Sequence, residues 1–242
     1  MNGTVAIGKE KVTSSFNTEL VFRKVRKKLY YVFKRMIDIV FAVIGLVVAS
    51  PIMLVTALAI KLDSKGPTLF KQERTGRFGK TFMLYKFRSM VVSNDVHDFK
   101  CADKHTKVGN FIRKTSIDEL PQFINILKGD MSFIGPRPWI TDYWENMNEE
   151  QRHRCDVLPG ITGLAQAKGR NAITIFEKIN YDLEYVQNFG LMQDIKIVFL
   201  TIKTVLSKKG ADAGKSTISN ELKELKMHNL LQNEETIFEN IA

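Results

Sequence analysis

The sequence predicts an α+β protein: a mostly helical domain with one small β-hairpin, preceded by an apolar helix suited to a membrane. Three observations carry this. Ile39–Ile60 is a run of 22 residues without a charge. Two short strand-like stretches flank the Gly76/Gly79 turn. After Ser116, apolar residues recur at helical spacing.

The elements follow in order. Residues 1–21 read as a flexible polar leader. From Phe22 to Met36, apolar residues fall at Phe22, Val25, Leu29, Val32, Phe33 and Met36 with lysines and arginines between. That pattern makes a basic amphipathic helix suited to anionic lipid, or a plain solvated helix. The apolar run follows and closes a segment at 22–62. A signal peptide is disfavoured by the long charged stretch before the run, and a buried soluble helix by the run's length. Spanning the bilayer and dipping into it both remain. Ser50-Pro51 near the middle predicts a bend, and the Ser50 hydroxyl can satisfy a freed backbone group. Basic residues on both flanks suit a helical hairpin that enters and leaves on one face.

Residues 63–209 read as the main domain. Strands are expected around Leu69–Glu73 and Phe82–Arg88, with polar loop over 93–115. Ile117, Leu120, Ile124 and Leu127 make a short helix face. Residues 129–172 are rich in Gly and Pro and should be irregular. Helices are expected over Thr174–Asn188 and Met192–Lys208. Residues 210–242 read as a glycine hinge and an amphipathic helix that the chemistry can do without. Gly210–Ser216 resembles a phosphate-binding loop, but it has three residues between the glycines where four are needed, so it reads as linker.

Charge narrows the function. The chain has 242 residues and a net charge of +10, with 18 basic and 7 acidic residues in the first 100. Residues 101–242 are near neutral, which disfavours a nucleic-acid binder. Cys101 and Cys155 form no C-x-x-C pair, and the four histidines are scattered, so neither a disulfide scaffold nor a zinc site is expected.

The chemistry gathers in short motifs. In Ser116-Ile117-Asp118-Glu119-Leu120-Pro121, Ser116 and Glu119 have capping-box spacing. Pro121 fits better at a helix start, which leaves Asp118 and Glu119 just ahead of the helix. Two adjacent carboxylates there can hold a hard cation such as Mg²⁺, and one can attack phosphorus. Gly135-Pro136-Arg137-Pro138 pins an arginine between prolines, suited to a fixed anion contact or to an ordinary surface turn. Lys86-Phe87-Arg88 and the Arg113-Lys114 pair add cations nearby in sequence. Together these suggest phosphoryl chemistry at a lipid surface; a noncatalytic membrane scaffold would give the acidic pair no purpose.

Six ordered motifs then resemble a known family. They are Lys34-Arg35-x-x-Asp38, the apolar run with Ser50-Pro51, Tyr85–Met90, Ser116–Gln122, Gly129–Pro138 and Pro159–Gln166. Over about residues 34–207 the chain resembles the bacterial sugar transferases, the monotopic phosphoglycosyl transferases, in their compact form. The resemblance implies transfer of a sugar 1-phosphate from a UDP-sugar to polyprenyl (undecaprenyl) phosphate, with release of UMP. It implies Asp118 as the nucleophile that carries a covalent phosphosugar, and Glu119 as the Mg²⁺ ligand. Lys86, Arg88, Arg113, Arg137, Pro138 and Arg170 become candidate phosphate or nucleotide contacts. Lys34, Arg35, Asp38, Ser50 and Pro51 become residues of a re-entrant membrane helix hairpin. The expected location is the cytoplasmic face of the bacterial inner membrane, in contact with its lipid and without nucleic acid. The resemblance leaves room for a homo-oligomer. Leu164 and Gly190 depart from the family's usual aromatic and serine.

Overall fold

The computed structural model describes residues 6–91, 105–169, 172–207 and 218–241. One helix dominates the N-terminal part: α1, Ala6–Asp63. It takes in residues 6–21, where the sequence suggests a loose leader. It also runs unbroken through Pro51. The local chemistry explains the continuity. Proline has no N–H to give the carbonyl one turn back, which here is that of Val47. The Ser50 hydroxyl donates to that oxygen at 2.8 Å instead.

α1 lies along the rest of the protein rather than apart from it. Its inward stripe is Lys34, Asp38, Ala42, Gly45, Ala49, Met53, Thr56 and Ile60, at three- and four-residue steps. Such steps keep one helix face turned to one neighbour. At Gly45 the helix approaches so closely that a side-chain carbon would meet the Phe123 ring at 2.7 Å. The opposite face presents Val40, Ile44, Val47, Val48, Leu54, Val55 and Leu58 outward. Val25–Asp63 is long and apolar enough to cross a membrane.

The main domain is mostly helical with two small sheets. β1 (Leu69–Thr75) and β2 (Thr81–Phe87) form the expected antiparallel hairpin, with Leu69 opposite Phe87 and Thr75 opposite Thr81. Beyond them, α2 (Lys107–Lys114) occupies part of the stretch expected to be loop; Thr106 caps it by accepting from the Gly109 N–H. A 3-10 turn (Ile117–Glu119) leads into α3 (Gln122–Lys128), and Pro121 stands at its start. β3 (Ser132–Ile134) and β4 (Gly160–Thr162) add a parallel pair that the sequence reading did not contain. Short helices α4 (Thr141–Glu145) and α5 (Glu149–Arg152) lie between them, and α6 (Leu164–Lys168) follows. Then come α7 (Ile175–Gln187), α8 (Leu191–Ser207) and α9 (Ile218–Ile241). α7 begins at a full capping box, Thr174 with Glu177. The glycine-rich 210–214 stretch lies outside the described residues.

Two helices differ in use from their sequence pattern. The apolar face of α8, including Ile195, Val198, Ile202, Val205 and Leu206, points outward, while Asp194 and Ile197 are buried. α9 is docked, not trailing. Leu225 is fully buried against a cluster of Ile140, Tyr143, Met147, Ile175 and Ile179. Glu221 accepts from Tyr143 at 2.8 Å and pairs with Lys178 at 2.7 Å.

Leu225→Ala should therefore destabilise the fold by about 2–5 kcal/mol, read as a lower Tm in detergent. Leu230→Ala, at an exposed position of the same helix, should change stability by no more than about 0.5 kcal/mol. Equal melting of both variants and the wild type would show that α9 does not contribute to the core.

Candidate active site

The acidic pair sits on the 3-10 turn between α2 and α3, and the local backbone explains why it is not a helix cap. Ser116 adopts a left-handed conformation (φ 57°) and its side chain makes no cap bond. The capping-box reading therefore fails here. Glu119 is freed from the local backbone and turns to cations from two distant segments. Its Oε1 accepts from Lys86 Nζ at 3.0 Å and from Arg137 Nη2 at 2.7 Å. Lys86 comes from β2, and Arg137 from the turn after β3.

Two backbone bonds and one side-chain bond fix that turn. The Gly135 N–H donates to Thr162 O at 2.8 Å, and the Gly160 N–H to Pro136 O at 2.9 Å. The strands approach so closely that a side-chain carbon on Gly160 would lie 2.1 Å from Gly135 N. Arg74 adds a bond to Pro138 O at 3.4 Å. On the other side, Asn125 ties α3 to β2. It accepts from the Tyr85 N–H at 3.0 Å and donates to Met83 O at 2.7 Å. The segments around the acidic pair are thus cross-linked by backbone bonds and by side chains that bond to backbone groups.

The electrostatics divide the pair. For Glu119, burial disfavours the charge, but Arg137 and Lys86 outweigh it and hold the carboxyl down to about 2. Asp118 moves the other way. Burial raises it, the adjacent Glu119 carboxylate raises it further, and Lys86, Arg113 and Arg137 oppose the rise. Asp118 is 9% exposed, and no donor among the described residues bonds its carboxylate. Burial and the neighbouring Arg137 also pull Lys86 down, while Glu119 supports its charge. Arg74, buried beside Arg137, is lowered to about 10.

The carboxylates fit a hard divalent cation. The Asp118 oxygens and Glu119 Oε2 accept no bond from the described residues. Mg²⁺ commonly takes one or two carboxylates and fills its remaining positions with water and substrate phosphate oxygens. The described residues contain no cluster of three or more acidic, His or Cys groups, so the protein's share would be this pair alone.

The other sequence candidates fall in several places. Arg88 is turned away from the pair: it donates to Ser64 O and Oγ, each at 2.8 Å, and to Lys65 O at 2.9 Å, closing the C-terminal end of α1. Arg113 is exposed and faces His105 at 3.3 Å. Pro138 is buried and shapes the turn. Arg170 lies outside the described residues. Lys34, Arg35 and Asp38 fasten α1 to three elements. Lys34 pairs with Asp194 of α8, and Asp38 accepts from the Phe133 N–H of β3 at 3.1 Å. Arg35 donates to Ile126 O and Leu127 O, at the C-terminal end of α3. Sequence reasoning missed Asn125, Arg74 and Arg154. Only Asn125 left a signal, as a polar residue one position from the apolar face of a short helix.

Comparison with known proteins points in one direction. Residues 29–208 match the family described as bacterial sugar transferase. The chain is 45% identical over 204 residues to the galactosyl transferase CpsE of Streptococcus agalactiae, covering 78% of this chain and 45% of CpsE. It is 45% identical over 181 residues to the uncharacterized sugar transferase EpsL of Bacillus subtilis, covering 74% of this chain and 90% of EpsL. It is 40% identical over 190 residues to a UDP-glucose:undecaprenyl-phosphate glucose-1-phosphate transferase of Caulobacter vibrioides, covering 74% of this chain and 71% of that protein. The matched region spans less than half the length of CpsE and of some other curated relatives.

The charge division has a consequence for stability. Glu119 is depressed from 4.5 to about 2, so its pairing stabilises the fold above the ordinary value and fades as pH falls towards 2. Glu119→Gln should cost on the order of 3 kcal/mol at neutral pH, and progressively less below about pH 4.5. Denaturant melts of both proteins at pH 7, 5 and 3 check this. A gap that stays constant across the series would mean that the two cations do not hold Glu119 ionised.

Proposed function

The chain belongs to the bacterial sugar transferase family, and on that premise we propose that it transfers a sugar 1-phosphate from a UDP-sugar to undecaprenyl phosphate. The observation that carries the reading is the division within the acidic pair. Glu119 is clamped between Lys86 and Arg137, while Asp118 beside it is buried and receives no hydrogen bond from the described residues.

The chemistry follows from that division. Asp118 attacks the sugar-bearing phosphorus of the diphosphate, forming an aspartyl–phosphorus bond. The bond from that phosphorus to the bridging oxygen breaks, and UMP leaves with the electron pair. An oxygen of undecaprenyl phosphate then attacks the same phosphorus. The aspartyl bond breaks, Asp118 regains its carboxylate, and the product is undecaprenyl diphosphate sugar. The raised carboxyl of Asp118 is more basic, hence a stronger nucleophile once ionised. A covalent step also avoids direct attack of one phosphate anion on another. Arg137 and Lys86 offer positive charge to the phosphoryl oxygens. Mg²⁺ held by the pair would add to that neutralisation.

The same reading puts the protein on one leaflet. A crossing helix leaves about 20 residues among lipid tails. α1 instead touches the main domain at almost every turn from Lys34 to Ile60, with its apolar face outward. That arrangement supports a helix embedded from the cytoplasmic face of the bacterial membrane, next to the headgroup of the lipid acceptor.

Two experiments test the proposal. Incubation with a panel of UDP-sugars and no acceptor should add one phosphosugar mass to the wild type and none to Asp118→Asn. Glu119→Gln should form the adduct slowly and need more Mg²⁺. An adduct on Asp118→Asn would remove Asp118 as the nucleophile. Single cysteines at positions 28 and 65 should both resist an impermeant thiol reagent in intact cells; outside labelling of position 28 alone would restore a spanning helix.

A further inference from the structure

Arg137 reaches Glu119 from a turn whose side chain is 42% exposed. An arginine so placed needs its backbone held if its guanidinium is to meet a phosphate at a fixed position. The parallel pair and Arg74 hold the residues on either side, and at Arg137 itself the hold comes from a buried ion pair behind it. Arg154 and Asp182 are 2% and 1% exposed. Arg154 donates to Asp182 Oδ2 through Nε at 3.0 Å and through Nη2 at 2.6 Å. The same Nη2 donates to the carbonyl oxygen of Arg137 at 2.8 Å. The guanidinium also lies over the Trp139 ring, 3.8 Å from its centre.

The chemistry of the group says why it is arginine. A planar fork can serve a carboxylate and a carbonyl at once while stacking on an indole; an ammonium cannot. Stability alone is a poor reason for the pair. Desolvating two charges is so costly that an apolar replacement of equal volume is often no worse. What an apolar replacement could not provide is the bond to Arg137 O. Asp182 comes from α7, a capped helix of 13 residues, so the anchor is rigid. Neither residue is among the contacts expected at the phosphates.

Resting on the functional reading above, we propose that Arg154, oriented by Asp182, is a positioning residue for Arg137. It fixes the turn so that the Arg137 guanidinium stays between Glu119 and the diphosphate. Arg154 touches neither substrate nor metal and acts only through the Arg137 backbone and Trp139.

A double-mutant cycle tests this in the full chain. Arg154→Lys keeps a cation opposite Asp182 but loses the fork. In the otherwise wild-type enzyme it should lower kcat/KM for UDP-sugar on the order of 10- to 100-fold, as a small misplacement can. In an Arg137→Ala background it should lower kcat/KM by less than about threefold, because the group it positions is gone. Asp182→Asn is run through the same cycle and serves if Arg154→Lys does not fold. Equal loss in both backgrounds by a folded variant overturns the proposal. Phenylglyoxal modification of Arg137, read by peptide mass, reports the anchoring without turnover. It should be faster in Arg154→Lys or Asp182→Asn than in wild type, and an unchanged rate likewise overturns the proposal. A wild type that releases no UMP from any UDP-sugar fails the functional reading instead, and the modification rates still decide the role of Arg154.

Discussion

The Glu119 carboxylate is the junction on which the rest of the structure depends. One oxygen is shared by a lysine from β2 and an arginine from the turn after β3. Like charges so close would repel the two segments apart without an anion between them. Burial lowers Lys86 first and the nearby Arg137 lowers it further, while Glu119 supports its charge. The site is therefore assembled by tertiary folding and not by any local motif. Its neighbour Asp118 inherits a different environment from the same arrangement: next to an anion, buried, and without a donor among the described residues.

Around that junction, hydrogen bonds to backbone groups do the alignment. Asn125 joins α3 to β2, the parallel pair holds the Arg137 turn, and Arg35 closes the far end of α3. α3 is only seven residues long, too short to be stable alone, and is held at its middle by Asn125 and at its C-terminal end by Arg35. Polar residues on α1 therefore reach the site without touching it. Arg35 connects α1 to the helix that begins just after the acidic pair.

Much of this was legible in the sequence, and the gaps have physical causes. The β-hairpin, α7 and α8 have plain periodicity, and Pro121 marked the start of α3. The acidic pair was legible because it precedes a proline-started helix. The division between its members was not, since Lys86 and Arg137 are distant in the chain. Arg88 misled because a basic residue beside an aromatic reads the same whether it will meet a phosphate or a helix's last carbonyls. α2 was missed because its sequence, KVGNFIRK, is polar and contains a glycine. α9 read as an appendage because amphipathicity says that a face exists, not what covers it. Arg154 and Asp182 gave no signal, because a buried ion pair looks like two ordinary surface charges until the chain is folded.

The stripe on α1 also sets which lengths of chain the fold tolerates. Successive residues on a helix turn by about 100°. One residue inserted between Asp38 and Ile60 would rotate everything beyond it by that angle. With the insertion ahead of Ile44, that side chain would take the place of Gly45 against Phe123, and Ala49 and Thr56 would turn outward. Replacing one outward residue by another disturbs nothing of this kind. Over this segment the fold should accept wide changes of letter and almost no change of count, with an insertion of a full heptad as the least disruptive exception. In that respect α1 resembles a strand in register more than a tether, although it is a helix on the outside of the protein.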